Sequence, residues 1–139
     1  ECEVGVTKLF QKFPDFENLS EKWATGAEYI ALYPNVLLGV HRDHAYAIIL
    51  LPVSFSETIE NVHIYYSKPD VSPSLKKKNK DQWKEVFEED IFVVEGMQAG
   101  RLGVKFDGGR FSPQMDEPTH CFHDWVAEEV SRFRKQNLT

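Results

Sequence analysis

Four apolar runs packed into some forty residues constrain this chain most. They are "AEYIALY" (27–33), "NVLLGVH" (35–41), "HAYAIILLPV" (44–53) and "TIENVHIYYS" (58–67). Each is rich in branched and aromatic residues, which suit a pleated, half-buried surface. The gaps between them are too short for helical crossovers, so neighbouring strands must run antiparallel. Arg42 and Asp43 form the expected tip of a tight hairpin between the second and third runs. "PVSFSET" supplies the next turn, with Pro52 expected at a strand end because proline cannot donate to a ladder.

Two helical patterns follow. The first is expected from about Asp81 to Gln98, with Gly100 as its stop and the proline-marked "SKPDVSPSLKKKNK" as a polar connection before it. "RLGVKFDGGRFSPQMDEP" reads as irregular, with a turn at Asp107-Gly108-Gly109. The second helix is expected from near Thr119, a candidate cap, through "HCFHDWVAEEVSRFRKQ". Phe122, Trp125, Val126, Val130 and Phe133 fall on one face there, and Arg132, Arg134 and Lys135 complement the dipole at its end. The fold class is therefore α+β: an antiparallel sheet followed by two helices.

Composition narrows the function. The chain has 139 residues, enough for one domain with a core, and no tract long enough to cross a bilayer. A net charge of −6 argues against nucleic acid as partner, and Lys76-Lys77-Lys78-Asn79-Lys80 reads as a solvated approach to a helix. Cys2 and Cys121 give no disulfide framework and fit a reducing cytoplasm. The start, "ECEVGVTKLFQKF", has neither a signal peptide's apolar core nor a Met, and suggests the cut edge of a longer chain. The P-loop, dinucleotide and nucleophile-elbow motifs are all absent from this sequence.

Asp90 is the anomaly. At roughly 100° per residue, Trp83, Val86, Phe87, Val94 and Met97 make one apolar stripe, and Asp90 stands inside it. A carboxylate on a buried stripe needs a basic partner, a set of hydrogen-bond donors, a raised pKa or a metal ion. A two-histidine, one-carboxylate iron centre would also need two imidazoles. His41 and His44 flank the hairpin tip and could face each other across the strands. His120 and His123 sit three apart on the last helix, where surface histidines are expected. His63 shares a strand side with Tyr65 and suits packing or a pocket edge. Tyr46, Tyr65 and Tyr66 are candidates to line a cavity, with core packing the plainer role.

The order of several segments does resemble a family. "ALYPNVLLGVHRDHAYAIILLPVS", "EEDIFVVEGMQAGRLGVKFDGGRFSP" and "HCFHDWV" look like the C-terminal catalytic domain of the α subunits of Rieske non-haem iron ring-hydroxylating oxygenases. Related monooxygenases act on quaternary ammonium compounds. The similarity covers roughly residues 27–135. Its specific pieces are Glu89-Asp90 with Glu95 and Gln98 downstream, the glycine-containing segment, Phe122-x-x-Trp125, and Tyr33-Pro34-Asn35 before an apolar strand.

This resemblance implies a helix-grip fold, with Asp90 as both the catalytic residue and the carboxylate ligand of a mononuclear Fe(2+). It implies hydroxylation of an organic substrate by O2. Electrons would come from NAD(P)H through a flavin reductase or ferredoxin and a [2Fe-2S] Rieske cluster. It also implies a homotrimer of the full subunit. The family's paired-histidine helix and the C-x-H…C-x-x-H cluster motif are not in this sequence, so both are expected upstream of residue 1. A different class, the helix-grip carriers of apolar ligands, would instead pair Asp90 with an arginine such as Arg101 or Arg110.

Overall fold

Short turns decide the sheet. In the computed structural model, which describes residues 13–137, β1 (Glu28–Leu32), β2 (Val36–Val40), β3 (His44–Ser54) and β4 (Glu57–Tyr66) form an antiparallel meander in the order β1-β2-β3-β4. Tyr33-Pro34-Asn35 joins β1 to β2. Asn35 ties this turn to β3 by donating Nδ2 to the Leu50 carbonyl at 2.9 Å and accepting the Leu50 N–H at 2.9 Å. His41 N–H donates to the His44 carbonyl at 2.9 Å, closing the hairpin with Arg42 and Asp43 at its tip as expected. Arg42 is pinned by the Asp15 carboxylate, its Nε lying 2.9 Å from Oδ1. Pro52 pairs with Thr58 inside the ladder, where the register becomes irregular before Ser54.

The helix α1 (Pro73–Arg101) starts eight residues earlier than its periodicity predicts. The reason is local. Ser72 caps it, accepting the Leu75 N–H through Oγ at 3.3 Å and the Lys76 N–H through its carbonyl at 3.0 Å. Pro73 then occupies the first helical position, where its missing N–H costs nothing. The lysine run is thus helical rather than connecting, and Lys77 pairs with Asp81 at 2.6 Å. Asn79 within the run is buried, and its Oδ1 accepts from the Tyr66 hydroxyl at 3.2 Å.

Strand alternation puts Tyr46, Ile48, Leu50 and Ile64 on the inner face of the sheet. There, Trp83, Val86 and Phe87 of α1 pack against them to make the core. The opposite face carries Ile30, Leu38, Val40, Ala45, Ala47 and Ile49, so both faces are apolar. His63 and Tyr65 point to that outer face and are exposed, while Tyr46 and Tyr66 belong to the inner one.

The chain divides into two compact units at the Ala99/Gly100 junction. In the second, α2 (Glu117–Asn137) begins two residues before the expected Thr119 cap. Asp116 takes the capping place: its carbonyl accepts the His120 N–H at 2.8 Å, and its Oδ2 accepts the Ser112 N–H at 2.7 Å. Of the expected turn at 107–109, only Gly108 is unusual, with a φ of 96° that favours glycine. A tight turn instead follows Arg101, where Gly103 N–H donates to the Gly100 carbonyl at 3.0 Å. The architecture, a four-stranded antiparallel sheet with two helices, is α+β and consistent with the helix-grip arrangement.

Candidate functional site

Asp90 sits on α1 one turn beyond Phe87. Seven residues separate it from Trp83, roughly 20° short of two full turns, so the two share a helix face about 10 Å apart along the axis. The sequence expectation of a buried carboxylate is corrected here, because Asp90 is exposed. Burial of the stripe stops at Phe87: Val94 and Met97 are 61% and 55% exposed. The sheet residues of the core, Tyr46, Ile48, Leu50 and Ile64, meet the helix at Trp83, Val86 and Phe87, and among the described residues nothing of α1 beyond Phe87 joins that cluster. No ion pair to Asp90 forms among the described residues of its own unit.

The sheet meets this helix face through Tyr46. Its ring lies edge-on to Trp83, with centroids 4.5 Å apart, and edge-on to Phe87 at 5.4 Å. It reaches this position by crossing Gly39 on β2, where an added Cβ would stand 2.3 Å from Tyr46 Cζ and 2.7 Å from the hydroxyl oxygen. Burial, then the charges of Tyr29 and Asp90, push the phenol up to about 12. Asp90 therefore acts electrostatically on a group at the closed end of the helix–sheet contact.

Behind Tyr46 lies a polar chain that the sequence does not announce. Trp83 Nε1–H donates to His44 Nε2 at 2.9 Å, and His44 Nδ1 lies 2.6 Å from Asp43 Oδ1. Indole can only donate, so Nε2 must accept and the ring proton sits on Nδ1, facing the carboxylate. Burial would raise the Asp43 carboxyl, but the His44 hydrogen bond, with the Phe13 N–H at 3.3 Å, holds it below its ordinary value. His41 stacks on His44, with centroids 4.7 Å apart and planes within 3°. Burial and then His44 bring His41 down to about 4, against the opposing pull of Asp43. Among the described residues, its Nε2 is buried without a hydrogen-bond partner. Both nitrogens of His44 are engaged, so the facing pair at the hairpin is a packing device that clamps α1 to β3. A clue was legible: His44 has inward strand parity with Tyr46, beneath an expected tryptophan-bearing helix.

The remaining candidates are dispersed. His120 pairs with Asp124 at 3.1 Å, and both His120 and His123 meet the Phe111 ring edge-on, as exposed helix side chains. Cys121 is exposed and free, and Cys2 lies outside the described residues. Among the described residues, no three or more histidine, cysteine, aspartate or glutamate side chains gather as a metal site. Asp90 thus fits one carboxylate position of an iron centre and not the whole donor set. Also among the described residues, no helix is long and apolar enough to cross a membrane.

Neither a curated protein nor a solved structure matches the chain. A family model does: that of the ring hydroxylating alpha subunit (catalytic domain) matches residues 3–132. The match embraces the whole meander, α1 with Asp90, and most of α2, and so the chain belongs to the ring-hydroxylating α-subunit catalytic-domain family.

Proposed function

We propose that this chain contributes to the catalytic domain of a Rieske-type non-haem iron oxygenase and that Asp90 is the carboxylate ligand of its mononuclear iron. The observation that carries this reading is the setting of Asp90. It is an open carboxylate with no ion-pair partner in its own unit, on the helix face that also bears Trp83 and Phe87. A structural role would pair that charge with a basic residue, and none of the described residues of its own unit does so. When bound, the iron supplies activation of O2 for hydroxylating an organic substrate.

The chain's own residues have separate tasks. Asp90 offers one oxygen-donor position and leaves the other ligand positions to imidazoles. Trp83 and His44 fix α1 against β3, which holds the carboxylate at a set height along the sheet. The aromatic rings of Tyr46, Trp83 and Phe87 pack together one to two turns before it and hold that part of the helix on the sheet. Electrons from NAD(P)H through a flavin reductase or ferredoxin, a [2Fe-2S] cluster, and assembly as a homotrimer complete the proposal.

The test is metal content in the iron-loaded enzyme. Asp90→Ala should lose mononuclear iron and turnover while the Rieske absorption spectrum stays intact. Iron bound by the variant in wild-type amount would refute the ligand assignment.

A further inference from the structure

The Tyr46 ring is 8% exposed, enclosed by Trp83, Phe87 and the bare Cα of Gly39. A tyrosine buried this far normally places its hydroxyl on a partner, as Tyr66 does on Asn79 Oδ1. Among the described residues nothing accepts a hydrogen bond from the Tyr46 hydroxyl. Unlike His41 Nε2 and Asn79 Nδ2, which among the described residues are fully buried without partners, that oxygen is not completely sealed off. The rest of its setting is apolar, and the nearest turn of α1 beyond Phe87 carries Asp90, whose charge acts on the phenol.

Such a hydroxyl has a fixed character. Enclosed among aromatic rings, the phenol stays in its neutral form at neutral pH and offers a hydrogen-bond donor. A neutral donor among aromatic walls complements an uncharged oxygen, a carbonyl or ether, attached to an apolar body. We infer that the Tyr46 hydroxyl is a specificity-determining donor that binds a neutral oxygen acceptor on the organic substrate and so orients that substrate beside Asp90. This rests on the Asp90 reading above for the place of the chemistry, but not for the hydrogen bond itself.

Acetophenone and ethylbenzene serve as probes, since they differ mainly in one carbonyl oxygen. Equilibrium dialysis against the iron-loaded enzyme should show acetophenone binding weakened about fivefold by Tyr46→Phe, the worth of one neutral hydrogen bond, with ethylbenzene changed less than twofold. The phenylalanine keeps the ring, so the urea midpoint of the variant should match wild type. Equal weakening of both probes, an unchanged acetophenone affinity, or no binding of either probe by wild type would overturn the inference. Asp90→Ala, dialysed in parallel, separates the two claims. Retained iron there would remove the ligand assignment, while the acetophenone-to-ethylbenzene ratio still reports on Tyr46 alone.

Discussion

Replacing Trp83 by phenylalanine tests the clamp between α1 and the sheet. The substitution removes the indole N–H that donates to His44 Nε2, and His44 is 2% exposed, so water cannot readily replace it. A buried acceptor left unsatisfied costs roughly 1–3 kcal/mol. Loss of the larger indole, which touches Tyr46 at 4.5 Å and stacks on Phe87 at 5.4 Å, adds about 1 kcal/mol as a partly filled cavity. The expected sum is about 2–4 kcal/mol. Urea unfolding followed by far-ultraviolet circular dichroism is the assay. With a slope of about 1–3 kcal/mol/M, the midpoint should fall by about 1–2 M without a change in slope. His44→Phe in the same background should cost less than it does alone, because both polar partners are then gone together. A loss under about 0.5 kcal/mol, or strict additivity of the two substitutions, would show that the 2.9 Å contact does not hold the helix.

Acid should weaken the fold through His41. Its pKa falls from 6.5 to about 4 on folding, so the unfolded chain takes the proton first. The stabilisation is full above pH 6.5 and lost as pH falls toward 4, by on the order of 1–2 kcal/mol once solvent screening of this half-buried ring is allowed for. His41→Phe should flatten thermal-melt midpoints across that window, and an unaltered pH profile would refute the assignment. Gly39→Ala should destabilise by about 2–4 kcal/mol in urea, since its Cβ would overlap the Tyr46 ring, and Tyr46→Ala in the same chain should recover part of that loss. Ser72→Ala should cost about 1 kcal/mol, with hydrogen exchange quickened in the first turn of α1.

The strands could be read from the sequence because branched and aromatic runs alternate with turn residues over so short a span. Their observed ends lie within one residue of the apolar runs. The start of α1 was harder to see. Proline punctuation at Pro69 and Pro73 looks like a loop, yet Ser72-Pro73 is also a cap followed by a first helical residue, and periodicity has no purchase on a lysine-rich turn. The site divides the same way. Helical spacing places Asp90 on the face of Trp83 and Phe87, but spacing carries no knowledge of how far along a helix the packed core extends, and here it stops at Phe87. The Trp83–His44 contact joins residues 39 positions apart, and only three-dimensional pairing brings them together.

Gly39 has a bearing on how the chain finds its register. In most antiparallel sheets a one-residue slip is forbidden because it turns apolar side chains toward water. Here both faces are apolar, so that safeguard is weak: sliding β3 by one residue would exchange Ile48 for Ala47 or Ile49 at little hydrophobic cost. Shape provides the discrimination instead. The phenol of Tyr46 fits only where its neighbour on β2 lacks a Cβ, and slipping by one would set it against Leu38 or Val40. A glycine in mid-strand thus works as a keyway, permitting one alignment of the meander and with it one position for the helix that carries Asp90.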